Sequence, residues 1–304
     1  MKKFLISSEF ENTRLDRWFR KEIFNAPQSY IEKNLRKGNI KINNKKNKSS
    51  YRLKKNDLIF VKELKFKKDE NLNKKYIYIP DKKDLSNTSN IFIENNENFV
   101  VINKPAGISV QSGSKSLKNI IDILRLSKEF NNASPFPVHR IDKETTGILI
   151  VAKNRKYAQL FTSLFRIRKI NKTYLGIVKG VLSSPKGVLK NDLFYYEGDK
   201  KIKTRAVTNF KVLNSNNNYS FLELNPITGR KHQLRKQLLL YDCPILGDSK
   251  YRLKNSTKNK NENLMLHAYK INFSINNIKY KFKAELPDTF KKNLKEKYLE
   301  IFQK

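Results

Sequence analysis

Cysteine and histidine are scarce in this sequence. Its 304 residues contain one cysteine, Cys243, and three widely separated histidines, His139, His232 and His267. A lone cysteine excludes an internal disulfide, and these histidines lack the close spacing found on a metalloprotease helix. The sequence therefore predicts neither a cysteine-rich nor a histidine-paired metal site.

Long apolar runs are missing as well. No stretch approaches the length needed to span a bilayer, and the apolar part of residues 1–9 is too short for a signal peptide. No G-x-G-x-x-G turn is present, as a methyltransferase with a nucleotide-like cofactor would need. A metal-dependent nuclease would need clustered carboxylates, and the core motifs of the chain offer only one obvious acid. We therefore expect a cytoplasmic protein without a membrane segment.

Acidic residues are few compared with basic ones. The chain has 28 Asp and Glu against 64 Lys and Arg, which gives a formal charge of +36. An excess of this size favours a polyanionic partner, and nucleic acid is the first candidate. The chain is also rich in Lys and Asn, as products of AT-rich genomes often are. Part of the charge is therefore alternatively explained as solvated surface.

A polar loop followed by a strongly apolar segment stands at the centre of the chain. Residues 139–147, HRIDKETTG, lead directly into residues 148–152, ILIVA. The apolar run predicts a strand buried on both faces, so Asp142 lies on a loop whose base is fixed by a core strand. Such loops often carry chemistry. The alternative is a turn Asp that pairs with Arg140 or Lys143.

Residues 1–62 predict a small basic module. Two amphipathic helices, with capping patterns at Thr13 and Asp16 and at Ser29 and Glu32, precede two short strands. Gly38 is predicted to end the second helix. The module carries 17 Lys and Arg against 6 Asp and Glu, which suits phosphate contacts rather than base readout. Residues 63–90 have little apolar periodicity and predict a linker.

Residues 91–304 predict one α+β domain, because strands outnumber helices and the sheet is expected to be mostly antiparallel. The expected strands are residues 91–93, 99–102, 148–152, 174–178, 205–213, 219–225, 270–276 and 279–285. Apolar stripes that begin at Leu117 and Tyr157 predict two helices. The Asn276-Asn277 pair predicts the turn between the last two strands.

Two further polar clusters accompany the Asp142 loop. KTY at residues 172–174 opens a strand, and TGRKHQLR at residues 228–235 follows another strand. The second cluster predicts a basic loop that leads into a helix, with His232 and Arg235 in its early turns. A helix amino terminus flanked by arginines is a favourable position for a phosphate group.

The basic module resembles the S-four RNA-binding domain, which is named after a ribosomal small-subunit protein. The similarity is carried by RLD at residues 14–16, LRKGNIKIN at residues 35–43, and Leu53 with residues 57–59. A generic basic helical module is the alternative. The resemblance implies that this module binds RNA through Arg14, Arg17, Arg36, Lys37 and Lys41.

The central loop resembles the signature of the RluA-type pseudouridine synthases. NKPAG at residues 103–107, KTY, TGRKHQLR and PILGD at residues 244–248 match the family's other motifs in the same order. The likeness extends from Arg14 to about Pro287. GISVQSG at residues 107–113 is most similar to the RluC-like branch, which acts on large-subunit ribosomal RNA.

This resemblance implies a pseudouridine synthase fold and specific roles for the motif residues. Asp142 is the expected catalytic carboxylate, Tyr174 the ring that stacks on the target base, and Arg235 the partner of Asp142. Arg140 is expected to help turn the nucleotide out of its helix, while Arg230 and His232 are expected RNA contacts. Without the other motifs, Tyr174 would be an ordinary strand aromatic and Arg235 a surface charge.

The implied reaction isomerises uridine to pseudouridine within RNA. The bond from the sugar to the ring nitrogen breaks, the base rotates, and the sugar is rejoined to carbon five. Because no redox step occurs, neither cofactor nor metal is expected. Asp142 acts either as nucleophile or as base. The alternative function is a non-catalytic RNA-binding ribosome assembly factor, and a monomer is expected in either case.

Overall fold

The computed structural model describes residues 2–62, 64, 78, 80–81, 90–112, 117–131, 133–197, 200–253 and 263–300. Contacts divide the chain into two compact units, Met1–Lys75 and Tyr76–Lys304. Most of the predicted linker, residues 63–90, lies outside the described residues, as does Gly113 of the 107–113 motif.

The first unit combines two helices with a three-stranded antiparallel sheet. Its elements are β1 (Lys2–Leu5), α1 (Leu15–Glu22), α2 (Gln28–Lys37), β2 (Ile40–Ile42) and β3 (Leu58–Val61). The strand order is β1-β3-β2. Leu15, Trp18 and Phe19 of α1 pack with Ile31 and Leu35 of α2 and with the strand residues in one apolar cluster. The helical periodicity of these side chains therefore predicted the buried face correctly.

The start of each helix differs from the prediction. α1 begins at Leu15, and no side chain caps it. Asp16 instead accepts from Arg14, whose Nη2 lies 2.6 Å from Oδ2, so the expected capping carboxylate is committed to an ion pair. α2 begins directly after Pro27, again without a side-chain cap. Its end at Gly38, which has a left-handed φ of 74°, is as predicted.

The second unit is built on one large sheet with helices packed on it. Its strands are β4 (Phe92–Asn95), β5 (Phe99–Lys104), β6 (Phe136–Pro137), β7 (Thr146–Ala152), β8 (Asn171–Lys179), β9 (Lys186–Glu197), β10 (Lys200–Ser215), β11 (Tyr219–Pro226), β12 (Leu266–Ile275) and β13 (Ile278–Lys283). Its helices are α3 (Ile120–Arg125), α4 (Arg155–Arg166), α5 (Gln233–Leu240) and α6 (Asp288–Glu296). Among the described residues, no helix is both long and apolar enough to cross a membrane.

The sheet has the strand order β4-β5-β7-β12-β8-β11-β10-β9, with β13 beside β12 and β6 beside β7. Its strand pairs are antiparallel except for β7 and β12, which run parallel. The prediction of an α+β fold on a mostly antiparallel sheet is confirmed. β9 was not predicted, and β10 begins at Lys200 rather than near residue 205.

β7 is the most deeply buried strand of this sheet. Each of its seven residues, Thr146–Ala152, is buried. Its aliphatic side chains belong to an apolar cluster that also holds residues of β5, α3 and α4, such as Val101, Ile120 and Phe161. Burying one such side chain contributes roughly 1.5–3 kcal/mol. The loop that precedes β7 is therefore attached to the most firmly held part of the unit.

The predicted turn between β12 and β13 is confirmed, whereas the predicted start of α3 is wrong. Asn276 and Asn277 have φ values of 50° and 63°, so they form the expected two-residue turn between β12 and β13. Leu117, which was expected in a helix, lies before it and is 50% exposed. α3 begins at Ile120 because the side chain of Asn119 accepts from the backbone N–H of Asp122 and caps the helix.

Gly147 is where β7 meets β12 most closely. It has a φ of 102°, and an added Cβ would collide with the backbone of Ala268. We expect Gly147→Ala to lower the free energy of unfolding by more than about 3 kcal/mol, since both backbone strain and a steric clash act.

Gly107→Ala is the matched control for this substitution. Gly107 also has a positive φ, 79°, but no atom lies within 4 Å of an added Cβ. Strain alone should then cost about 1–2 kcal/mol. Urea denaturation of both variants measures the difference, and equal losses would contradict the close-approach explanation.

Candidate active site

A cleft of about 710 Å³ opens in the second unit between the loop before β7, the start of β8 and the segment before α5. All the site residues predicted within residues 91–304 line it: Arg140, Asp142, Tyr174, Arg230, His232 and Arg235. These motifs are far apart in sequence, and the fold brings them to one place. The other predicted RNA contacts, Arg14, Arg17, Arg36, Lys37 and Lys41, belong to the first unit.

Lys104 fixes the loop that carries Asp142. This lysine ends β5 and is fully buried, and its Nζ donates to the backbone oxygens of Pro105, Ile108 and Lys143 at 2.7–3.0 Å. Burial lowers the pKa of the Lys104 ammonium to about 7. Because Lys143 directly follows Asp142, this contact holds the Asp142 loop against the end of β5.

His139 fixes the other end of the same loop. Its Nε2 accepts from the backbone N–H of Ile150 in β7 at 2.9 Å, and its ring packs on Phe165 with centroids 4.6 Å apart. Burial lowers the pKa of His139 to about 3, so the ring is neutral and can accept this bond. His139 therefore supports the loop rather than acting in the cleft as a charged group.

Asp142 and Arg235 form an ion pair in the cleft. Arg235 Nη1 donates to Asp142 Oδ2 at 3.0 Å. The Asp142 side chain is 25% exposed and the Arg235 side chain 9%, so the carboxylate can be reached while the guanidinium is enclosed. Charge-assisted bonds in such surroundings are shorter and stronger than neutral ones. This is the contact expected between the two residues.

Asp248 holds the rest of the Arg235 guanidinium. Arg235 Nε and Nη2 donate to the two Asp248 oxygens at 2.7 and 2.8 Å, and the Asp248 side chain is completely buried. The backbone N–H groups of Lys250 and Tyr251 also donate to Asp248, each at 2.8 Å. Burial lowers the pKa of Arg235, but bonds and charges from Asp248 and Asp142 outweigh it and raise the pKa.

A buried amide orients the segment that leads into α5. Gln233 Oε1 accepts from the Thr228 hydroxyl at 2.7 Å and from the Arg230 backbone at 3.0 Å, while its Nε2 donates to Val207 O and Thr208 Oγ1 in β10. The first turn of α5 is thereby tied to the sheet. Arg235, two residues later, is positioned by the same contacts.

His232 lies just before α5, not in its early turns as predicted. It has a left-handed backbone, with φ 54° and ψ 34°, and its side chain makes no capping bond. A non-glycine residue in this conformation costs about 1–2 kcal/mol. The ring faces the cleft instead, with Nε2 at 3.6 Å from Asp142 Oδ1 and Nδ1 at 2.8 Å from the Tyr251 hydroxyl.

Tyr174 presents its ring to the same cleft from β8. The strand is fixed on both sides, since Tyr174 pairs with Leu224 of β11 and with Ala268 of β12. Burial raises the pKa of the Tyr174 phenol well above its usual value, and the charge of Asp142 acts in the same direction. The side chain is therefore a neutral aromatic surface at neutral pH.

Positive charge dominates the cleft. Seven of its described lining residues are lysine or arginine, and Asp142 is the one carboxylate among them. Arg140 and Arg230 are exposed, so both can reach a bound polyanion. Arg230 is also oriented, because its Nε donates to Arg205 O in β10 at 3.1 Å. The cleft combines an accessible carboxylate, the ring of Tyr174 and several cations suited to phosphates.

Comparison with known proteins agrees with this geometry. The sequence profile of the family described as RNA pseudouridylate synthase matches residues 98–240. The chain is 34% identical over 281 residues to ribosomal large subunit pseudouridine synthase C of Buchnera aphidicola subsp. Baizongia pistaciae, over 88% of each protein. It is 32% identical over 296 residues to the protein of that name from Rickettsia conorii, over 93% of this chain and 97% of that one.

The chain belongs to the RNA pseudouridylate synthase family. A solved structure agrees: human RNA pseudouridylate synthase domain containing 4 aligns with a TM-score of 0.64 and 28% identity, over 72% of this chain and 97% of that one. The resemblance to the RluA-type synthases and the prediction of an RNA uridine-to-pseudouridine isomerase are thereby confirmed. The alternative of a purely RNA-binding assembly factor is disfavoured.

Sequence reasoning missed three residues that build this pseudouridine synthase site. Asp248 and Lys104 were within quoted motifs, PILGD and NKPAG, but no role was assigned to either. Tyr251 was not singled out at all. All three act through contacts with residues distant in sequence, so spacing could not reveal them. For Asp248 and Lys104, the presence of one charged residue in each short motif was the available signal.

The bidentate bond from the Arg235 guanidinium to Asp248 can be tested directly. We expect Arg235→Lys to lower the free energy of unfolding by about 2–3 kcal/mol, because an ammonium keeps the charge but cannot bind both oxygens of the buried Asp248. Arg155→Lys, at an exposed position of α4, is the matched control and should change it by less than about 0.5 kcal/mol. If both variants lowered the free energy of unfolding by a similar small amount, the bidentate Arg235–Asp248 bond would not be an important stabilising contact.

Proposed function

We propose that this chain converts specific uridines of large-subunit ribosomal RNA to pseudouridine, with Asp142 as the catalytic carboxylate. The observation that carries the proposal is the Asp142–Arg235 pair, which shares one basic cleft with Tyr174. The substrate class is supported by the relatives, which are named ribosomal large subunit pseudouridine synthase C. Ribosomal RNA is made and modified in the bacterial cytoplasm, where we place this protein, as a monomer.

The chemistry needs one accessible carboxylate and no further reagent. The bond between ribose C1′ and uracil N1 breaks, the base turns, and C1′ is joined to C5. C5 then loses a proton and N1 gains one, so the product contains the same atoms as the substrate. Asp142 can attack the sugar or remove a proton, and its 25% exposure leaves it open to either. Arg235 keeps its orientation fixed.

Tyr174 and Arg140 are suited to holding a nucleotide outside its helix. Unstacking a base costs a few kcal/mol, and stacking on an aromatic ring returns about 1–3 kcal/mol per base. Tyr174 offers a neutral ring next to Asp142, which is where the uracil must lie for reaction at the sugar. Arg140 is exposed two residues before Asp142 and can contact the phosphate backbone.

The first unit is proposed as an S-four-type RNA-binding domain, residues 1–62, joined by a linker to the catalytic domain at residues 91–304. The supporting observation is its surface: Arg17, Arg36 and Lys37 are exposed, and Lys41 is partly exposed. Arg14 pairs with Asp16 and keeps 38% of its side chain exposed. Exposed cations on a compact support suit sequence-independent phosphate contacts.

Replacing the catalytic carboxylate tests the central assignment. We expect Asp142→Asn to reduce single-turnover pseudouridine formation at least about a thousandfold, because an amide can neither attack the sugar nor take its proton. RNA affinity should be nearly unchanged. Quantitative mapping of pseudouridine in large-subunit RNA, with filter binding in parallel, measures both quantities.

Asp288→Asn is the matched control for this change, since the Asp288 side chain is fully exposed at the start of α6. It should react at the wild-type rate. If Asp142→Asn still formed pseudouridine, or lost binding and activity in equal measure, Asp142 would not be the catalytic carboxylate.

Removing the basic module tests its part in binding. We expect deletion of residues 1–62 to weaken RNA binding and to reduce the slope of log affinity against log salt, because fewer counterions are released. The slope falls by about 0.7–0.9 for each phosphate that the protein no longer neutralises. Filter binding over a range of salt concentrations measures it. An unchanged slope would show that the module does not bind phosphates.

A further inference from the structure

The two oxygens of the Asp142 carboxylate have different neighbours. Arg235 Nη1 donates to Oδ2 at 3.0 Å, whereas the ring atom near Oδ1 is His232 Nε2, at 3.6 Å. The second distance is too long for a hydrogen bond, but a small movement of either side chain would make one. Both residues line the cleft, so the contact would form beside a bound nucleotide.

Tyr251 fixes the opposite side of the imidazole ring. Its hydroxyl lies 2.8 Å from His232 Nδ1, and the two rings meet edge to face with centroids 5.5 Å apart. Tyr251 is itself held, because its backbone N–H donates to Asp248 and its ring lies 5.0 Å from the Arg235 guanidinium carbon. The segment from Asp248 to Tyr251 therefore orients both Arg235 and His232.

The surroundings of His232 favour an uncharged ring. Burial lowers its pKa, the Asp142 carboxylate acts in the opposite direction, and three cations, Arg235, Lys250 and Lys231, lower it further. The net shift is downward from a value already below neutral pH. At neutral pH the imidazole is therefore neutral, and one of its two nitrogens carries the hydrogen.

The neighbours also select the tautomer. Burial raises the pKa of the Tyr251 hydroxyl, which therefore keeps its proton and can donate to His232 Nδ1. A lone pair on Nε2 would face the negative Asp142 oxygen, which is unfavourable, whereas an N–H there would point at an acceptor. Both contacts agree on the tautomer with its hydrogen on Nε2.

We propose that His232 is a positioning residue that directs the N–H of its Nε2 at Asp142 Oδ1, with Tyr251 holding the ring from the other side. The proposal rests on the assignment of Asp142 as the catalytic carboxylate. Arg235 restrains one oxygen. A bond from His232 to the other oxygen, formed by a small movement of either side chain, would restrain rotation of the carboxylate when substrate binds. The left-handed backbone of His232 serves this arrangement, because it aims the ring into the cleft instead of at the end of α5.

A contact from a charged His232 to an RNA phosphate is the alternative role. The two roles predict different kinetics. A phosphate contact contributes to affinity and leaves the rate at saturating RNA unchanged, whereas a positioning residue contributes to that rate and leaves affinity unchanged.

Three substitutions separate these roles. His232→Phe keeps a ring but removes the donor, His232→Gln supplies an N–H near the position of Nε2, and Tyr251→Phe removes the hydroxyl alone. We expect His232→Phe to slow single turnover at saturating RNA by about 10- to 100-fold, by analogy with residues that orient the ligands of metal sites. His232→Gln should recover most of the rate, Tyr251→Phe should be intermediate, and RNA affinity should be nearly constant.

Tyr298→Phe is the matched tyrosine control, since Tyr298 is 89% exposed, and it should react at the wild-type rate. A wild-type rate for His232→Phe at saturating RNA would overturn the proposal, whether or not its affinity had fallen. Asp142→Asn in the same assay distinguishes failure of the Asp142 assignment from failure of the positioning role of His232. If that variant is active, the assignment of Asp142 as the catalytic carboxylate fails; if it is inactive and His232→Phe is fully active, only the positioning role fails.

Nitrogen NMR of histidine-labelled protein reports the charge and tautomer of the His232 ring independently of catalytic activity. The chain has only three histidines, so the His232 signals are identified as those absent from His232→Gln. At neutral pH we expect a neutral ring with its hydrogen on Nε2, and a mixture of tautomers in Tyr251→Phe. A cationic ring, or a hydrogen on Nδ1, in the wild-type protein would overturn the proposal.

Discussion

One guanidinium held between two carboxylates is the interaction on which this site depends. Arg235 gives Nη1 to the accessible Asp142 and gives Nε and Nη2 to the buried Asp248. An arginine this enclosed is stable only because its charge and its donors are matched by carboxylates. The pairing of Arg235 with both carboxylates also fixes the geometry of the site. The direction of the Asp142 carboxylate is set by Asp248, a residue that does not line the cleft.

The sheet brings the parts of the site together from distant places in the chain. β7 carries the Asp142 loop and runs parallel to β12, with Gly147 packed against the backbone of Ala268. β8, on the other side of β12, carries Tyr174. Because these strands are buried and mutually hydrogen-bonded, the packed core fixes the positions of the Asp142 loop and the Tyr174 ring. A nucleotide that enters the cleft therefore meets groups that are already in place, which lowers the reorganisation needed for reaction.

The sequence predicted those parts of the fold whose signal is local. The apolar run after the Asp142 loop has no polar residue that would suit an exposed strand face, so a strand buried on both faces was the natural prediction. β9 was missed because its buried side chains, Leu189 and Leu193, are four residues apart, a spacing that also fits a helix. Asp248 and Tyr251 were missed as site residues for another reason. Their roles exist only as contacts with Arg235 and His232, which no local pattern encodes.

The central claim is that Asp248 controls the orientation of Asp142, the proposed catalytic carboxylate, through Arg235 and without contacting the RNA. The most direct test is the single-turnover rate of Asp248→Asn at saturating RNA, in a variant shown by circular dichroism to be folded. An asparagine retains the shape but loses the charge and one of the two acceptor oxygens. The rate should fall by about 10- to 100-fold while RNA affinity stays nearly constant. A wild-type rate in the folded variant would contradict the claim.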